Sequence, residues 1–285
     1  MLRGPANLQR MFSRHPLTCH APLLAWGRFA KWQLRSRFQE EVLVDWIGDL
    51  KLAVRRGMSG ATANIYVGLH EFFDMMVMLH FLRQEDLFLD VGANVGTYTV
   101  LASGYCRAKT CAFEPDPDTE RKLNRNIEVN RLQDYVQVYG CALGAAKGSA
   151  AFTVGLDTMN RFTTANDLPT RIVPVETLDD TVPNCHPAMM KIDVEGAGLQ
   201  VLMGAKRILA NLSLKVVELE YPDAECERIL SHHGFEIGSY DPFHRSLSRD
   251  SEGRLSCNTL FVRDWPFVTD RLQKARAVEV FGRKF

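Results

Sequence analysis

Leu87-Phe88-Leu89-Asp90-Val91-Gly92-Ala93-Asn94-Val95-Gly96-Thr97-Tyr98-Thr99 opens on an apolar run, turns through two glycines and ends where a helix can begin. Such a short apolar run, bounded by glycine, reads as a buried strand. Gly92 and Gly96 allow the tight turn and a close backbone approach to a ligand. In a doubly wound α/β sheet, ligands sit at the carboxyl ends of the strands beside the switch in strand order, so a nucleotide-like cofactor is expected on this turn.

The neighbours of the turn narrow the choice of cofactor. Dinucleotide sites usually read G-x-G-x-x-G with a pyrophosphate at the helix start, whereas here Asn94 stands at the second glycine and Thr97 at the third. A carboxylate on Asp90 would repel a pyrophosphate and favour a cationic amino-acid moiety. S-adenosylmethionine carries an ammonium and a sulfonium and no phosphate, so it is the expected cofactor, and a nicotinamide is disfavoured. Twenty-four residues beyond Asp90, Glu114 ends a second apolar run, where an acid can accept hydrogen bonds from both ribose hydroxyls.

Outward from this turn the chain alternates strands and helices, which predicts a mostly parallel sheet covered on both faces. Strands are expected at 87–91, 110–114, 136–139, 188–192, 215–220, 235–239 and 259–263, with helices over 96–105, 118–130, 199–210 and 223–233. Further β structure is expected at 152–154 and 172–175. Upstream, 41–46 and 50–55 flank Gly48-Asp49 as a hairpin. The stretch 71–82 has Phe72, Met75, Met76, Leu79 and Leu82 on one helical face, the methionines filling core. The expected organisation is an N-terminal extension over 1–84 (basic helix, hairpin, helix), a catalytic domain over 85–265 and a helical tail over 266–285.

Composition bounds the function. The 285 residues are 46% hydrophobic and 24% charged, as in a globular protein with a proper core, and allow one sizeable α/β domain plus an extension. Lys+Arg and Asp+Glu balance at 34 each, so no global field draws the chain to DNA or RNA, and no nucleic-acid partner is expected. The seven cysteines form no C-x-x-C pair, which disfavours a zinc site or a disulfide framework and fits a reducing, cytoplasmic compartment. No transmembrane run is present. Residues 1–37 nevertheless hold Arg3, Arg10, Arg14, Arg28, Lys31, Arg35 and Arg37 without one acid. This segment is expected to pack its aromatics on the domain with its arginines in water; weak, peripheral contact with the inner face of an anionic membrane is the alternative, and a transit-peptide character is a minor one.

Six pieces of the chain occur together at spacings that resemble the FkbM family of class I S-adenosylmethionine-dependent methyltransferases. They are the 88–96 turn, Ala112-Phe113-Glu114-Pro115, Leu123 with Asn126 and Asn130, Ala142-Leu143-Gly144, Leu178-Asp179, and Lys191-Ile192-Asp193-Val194-Glu195-Gly196. The likeness covers 85–262 and extends into flanks at 68–72 and 240–243. It implies a Rossmann-like, seven-stranded sheet with the cofactor over its first two strands. Asp90, Gly92, Asn94 and Gly96 would line the methionine half, Glu114 would hold the ribose, and Cys141 and Ala142 would lie near the adenine. Where such proteins commonly read E-G-A-E or E-G-F-E, this chain has Glu195-Gly196-Ala197-Gly198, which removes a carboxylate from the next helix start.

Methyl transfer to a hydroxyl needs an aligned acceptor and a base for its proton. Asp193 is the preferred base, with Glu195 second; an ion-pair cluster with Lys191 is the competing reading of both. Glu218 and Glu220 end an apolar run, and Glu220 is assigned to acceptor binding together with His70, His244 and Asn160; Arg161 and Asn166 share the polar 155–170 loop with Asn160. No metal is expected. The acceptor is expected to be a sugar or glycan hydroxyl, with a scaffold role in glycan assembly, cofactor bound but catalytically weak, as the alternative.

Overall fold

The computed structural model describes residues 4–153, 169–249, 256 and 258–285. Asn160, Arg161, Asn166 and Cys257 lie outside the described residues.

Two helices, Pro5–Arg14 and Pro22–Phe38, precede a hairpin of β1 (Val42–Asp45) and β2 (Lys51–Val54). Helices Ser59–Val67 and Phe72–Phe81 follow. The alternating region then gives β3 (Leu87–Val91), β4 (Lys109–Phe113), β5 (Val136–Tyr139), the short β6 (Ala142–Leu143), β7 (Gly148–Thr153), β8 (Thr170–Glu176), β9 (Met189–Ile192), β10 (Val216–Glu220), β11 (Glu236–Asp241), β12 (Ser246–Ser248) and β13 (Asn258–Val262). A terminal helix, Trp265–Gln273, leads to a second hairpin of β14 (Glu279–Val280) and β15 (Arg283–Lys284), so the tail is helix and hairpin rather than helix alone.

The central sheet runs β12-β11-β13-β10-β9-β3-β4-β5. Strands β5, β4, β3, β9 and β10 are parallel, and β13 enters antiparallel between β10 and β11. Seven of these are the expected strands; the eighth, β12, adds as a hairpin on the β11 edge. Chain order reverses at β3, with β4 on one side and β9 on the other, and this opens the crevice at their carboxyl ends. The β6, β7 and β8 strands form a separate three-stranded sheet.

Side-chain alternation divides the core into two layers. Phe88, Ala112, Met189, Val216 and Leu260 face the helix Phe72–Phe81 and the helical turn Leu101–Tyr105. Leu89, Phe113, Met190, Val217 and Phe261 face the helices that follow β9 and β10. All three core methionines of helix Phe72–Phe81, Met75, Met76 and Met78, are buried in the first layer.

The expected helix over 199–210 is two pieces, Gly198–Met203 and Lys206–Ala210. The break falls at Gly204, where an added Cβ would collide with the Gly144 carbonyl. Asp179 restarts the helix by accepting the amides of Arg207 (2.8 Å) and Ile208 (3.1 Å), which satisfies donors that a helix start otherwise leaves open. Gly198 also has a packing reason: the helix start it forms lies against the Leu219 side chain.

Candidate functional site

The turn after β3 is built as its residue types demand. Gly92 and Gly96 have φ of 84° and 85°, and Asn94 has φ 51°. Asparagine is among the few side chains that adopt this left-handed region readily, and its Oδ1 accepts the Val95 amide at 2.7 Å. A Cβ at Gly92 would strike the Asp193 carbonyl oxygen, and one at Gly96 would strike Leu123. Close approach, as well as torsion, therefore selects glycine at both places.

On the β4 side, Glu114 is buried, and its two oxygens accept the amides of Asn94 (3.0 Å) and Asp116 (2.9 Å). Burial pushes its carboxyl up to about 7 despite these hydrogen bonds. Next to it, Asp116 caps the following helix through Thr119 and pairs with Arg171. Cys141 and Ala142 follow β5 at the same end of the sheet and are both buried, with Tyr139 stacked on Phe113 at 4.9 Å.

On the β9 side, Asp90, Lys191 and Glu218 are register partners across β3, β9 and β10 and leave the same face of the sheet. Asp90 accepts the Thr99 hydroxyl at 2.5 Å, and burial raises its carboxyl to about 6. Lys191 donates to Asp193 at 2.5 Å and sits 4.4 Å from the Tyr98 ring centroid; the Tyr98 hydroxyl reaches Glu71 at 2.7 Å. Burial opposes the charge on Lys191, but Asp193, Glu71 and Asp90 outweigh it and keep the ammonium charged.

One pleat higher, Asp193 and Glu220 share a hydrogen bond. Burial works against ionisation of Asp193, yet Lys191 prevails and holds it below the usual carboxylate range. Burial and then the Asp193 charge push Glu220 up to about 8. Burial and then Asp74 raise Glu218 well above the usual carboxylate range. The acids Glu71, Asp74, Asp90, Asp193, Glu218 and Glu220 thus gather around the single ammonium of Lys191, and like charges this close cannot all ionise.

Asp90, Gly92, Asn94, Gly96, Glu114, Cys141, Ala142, Asp193 and Glu220 all lie at the carboxyl ends of adjoining strands or in the turns that leave them. Asp90 is the deepest, 1% exposed, and anchors the helix start through Thr99. Glu195 lies half-buried two residues past Asp193 and adds its charge to the surroundings of Glu220. His70 precedes the Phe72–Phe81 helix; its amide is held by Asn64, its carbonyl meets His15, and its buried Nδ1 has no partner among the described residues. Burial lowers its pKa. His244 follows β11, exposed and paired with Asp241 at 2.6 Å. Asp74, Tyr98 and Asn258 complete the acidic cluster without having been singled out in the sequence. Both polar atoms of Asn258 and both oxygens of Glu218 are buried and have no hydrogen-bond partner among the described residues. A visible clue was a polar residue at an inward position of an otherwise apolar element, such as Asp74 in FFDMMVMLHF.

The strand order with β3 at the switch, the reversed β13 and the glycine turn define a Rossmann-like class I methyltransferase fold. Residues 90–237 match the methyltransferase FkbM domain, and the chain belongs to that family. It is 27% identical over 146 residues to the hexuronic acid methyltransferase AglP of Haloferax volcanii, an overlap spanning 50% of this chain and 59% of that protein. It is 26% identical over 188 residues to Methyltransferase 1 of Beauveria bassiana, covering 55% of this chain and 75% of the fungal one. A solved FkbM methyltransferase from Methylobacillus flagellatus KT superposes with a TM-score of 0.44 at 18% identity, over 74% of this chain and 56% of its own.

Proposed function

We propose that the protein is an S-adenosylmethionine-dependent methyltransferase that methylates a hydroxyl of a sugar or glycan. The observation that carries this function is the crevice where an amide-held acid, Glu114, faces an ion-paired acid, Asp193, across the glycine turn.

The residues present fit the cofactor. Glu114 is aimed by two backbone amides and has no cationic partner among the described residues, so its remaining lone pairs suit two ribose hydroxyls. The acid-rich crevice suits a sulfonium and an ammonium. Gly92, Asn94 and Gly96 would carry the methionine portion, with Cys141 and Ala142 beside the base. When bound, the cofactor supplies a methyl carbon activated by sulfonium and needing no further electrophilic help.

The chain's task is then to align the acceptor and remove a proton. Asp193, kept ionised by Lys191, accepts a hydrogen bond from the acceptor hydroxyl. Glu220, protonated at neutral pH, donates to Asp193, and Asp193 would take the acceptor's hydroxyl proton as the methyl carbon leaves sulfur for oxygen, the shared hydrogen bond spreading that proton over the pair. Glu195 borders this pair. His70, His244 and Asn160 are assigned to acceptor binding, together with the unpartnered groups of Glu218 and Asn258, whose donors and acceptors suit a hydroxylated ligand. The name of the Haloferax relative supports a sugar as acceptor.

Calorimetry with S-adenosylmethionine and S-adenosylhomocysteine, followed by transfer of a labelled methyl group to a panel of uronate-containing oligosaccharides, tests the function. Saturable binding and label in the sugar fraction are expected. No binding of either compound would overturn it, and binding without transfer to any hydroxylated acceptor would favour a cofactor-binding scaffold.

A further inference from the structure

Helix Pro22–Phe38 carries its apolar residues on two sides. Ala25, Trp32 and Ser36 face inward and pack with Phe12, Tyr66 and the β1–β2 hairpin. Leu23, Leu34 and Phe38 lie on the opposite side, 81%, 59% and 82% exposed, with Gly27 and Ala30 filling the stripe between them at spacings of three and four. An inward-packed helix of a water-soluble surface would place polar residues there.

Cations border this stripe. Arg37 flanks one side, and Lys31 and Arg35 flank the other, where they and Arg28 line a groove of about 270 Å³ with Trp32, Trp46 and Phe281. Among the described residues, Arg10, Arg14, Lys31, Arg35 and Arg37 enter no ion pair. The acids that follow in sequence, Glu40 and Glu41, are engaged with Arg55 and Arg125, and Asp45, the one acid in the groove lining, lies 4.0 Å from Lys51. The first 38 residues hold seven Arg or Lys and no acid.

We infer that this helix is an interfacial anchor that lies flat on an anionic phospholipid surface. Leu23, Leu34 and Phe38 enter the acyl boundary, while Lys31, Arg35 and Arg37 meet lipid phosphates. Apolar area and cationic rim are both needed for such binding, since either alone gives only weak, reversible contact. A second copy of the chain fits this face poorly, because it would bring two rims of mostly cationic side chains together. The helix is 17 residues long, about 25 Å, and no helix of the described residues is long and apolar enough to cross a membrane. The anchor would hold the catalytic crevice beside a membrane rather than in it, which suits a lipid-carried acceptor. Membrane binding itself is independent of the proposed reaction.

Full-length protein should co-sediment with phosphatidylcholine vesicles containing about 30% phosphatidylglycerol, and at least about tenfold less with phosphatidylcholine alone or in 0.5 M salt. The double variant Leu34→Asp/Phe38→Asp changes only exposed side chains and should lose about tenfold or more of this binding with an unchanged melting temperature. Lys31→Glu/Arg37→Glu should weaken it comparably while leaving the apolar stripe intact. Failure of the wild-type protein to bind anionic vesicles, or equal binding by the apolar variant, overturns the inference. So does a wild-type dimer in light scattering that Leu34→Asp/Phe38→Asp dissociates, since the stripe would then be a contact between copies.

Discussion

On the β4 side of the crevice the backbone holds a side chain; on the β9 side, side chains hold one another. Glu114 takes one hydrogen bond from the Asp116 amide two residues on and one from the Asn94 amide in the turn after the neighbouring strand β3. Asp193 depends on Lys191, which depends on Asp90, Tyr98 and Glu71 from other elements. The first arrangement needs only a strand, a turn and a neighbouring strand. The second requires the whole sheet and the helix that covers it, and its protonation states are properties of the group rather than of any residue.

If that contrast is functional, the two halves should fail differently. Glu114→Ala should weaken S-adenosylhomocysteine binding about 100-fold or more by calorimetry, because it removes hydrogen bonds to a charged acceptor. Asp193→Asn should instead lower kcat by about 100-fold or more while cofactor affinity stays within about threefold. Exchange of these two signatures between the variants would break the division.

A smaller effect concerns how the halves are braced. Asn126 accepts the Ala53 amide at 2.7 Å and donates to the Val95 carbonyl at 2.8 Å, tying the β1–β2 hairpin to the glycine turn. Asn126→Ala strands two buried backbone groups and should cost about 2–4 kcal/mol in chemical denaturation. A loss below about 1 kcal/mol would mean that the hairpin does not brace the turn.

The pH dependence sharpens the comparison further. Burial raises Glu114 to about 7 and Glu220 to about 8 from a usual value of 4.5. The folded chain keeps these protons where the unfolded chain has lost them. Their contribution is therefore complete below about 4.5 and disappears as pH rises through about 7 and 8. His15 and His80, lowered to about 4 by burial, are neutral in both states above about pH 7.5 and do not offset this. The melting temperature without cofactor should fall by a few degrees between pH 7 and 9, and less in Glu114→Gln and Glu220→Gln. A flat wild-type profile would contradict the assigned protonation.

The smallest expected change is at Glu218. Burial and the surrounding acids keep its carboxyl protonated, so Glu218→Gln replaces one neutral group by another and should move the melting temperature by less than about 2 °C. A larger drop would show that Glu218 is ionised in the fold.

Why some of this was legible follows from distance along the chain. The turn at 92–96 and the capping role of Asp116 are local, and glycine or asparagine at left-handed positions states its reason in the residue type itself. The strand pattern gave all seven expected strands of the sheet, but β12 escaped notice because a three-residue edge strand has no periodicity to read. The expected helix over 199–210 hid a break because nothing local reveals that Gly204 meets Gly144. His244 shared a stretch with the family flank, but its exposed ring and its pairing with Asp241 became visible only in the fold.

From its sequence alone this chain determined the doubly wound sheet, the glycine turn and the acid that follows the second strand, because each is written in hydrophobic alternation and in residues with few alternative uses. Only the tertiary structure decided that Asp90, Lys191 and Glu218 stand side by side, that Asp74 and Asn258 join them, and that Leu23, Leu34 and Phe38 face water. Those outcomes depend on strand register and on which side of a helix meets the core, and neither is set until segments far apart in the chain have packed.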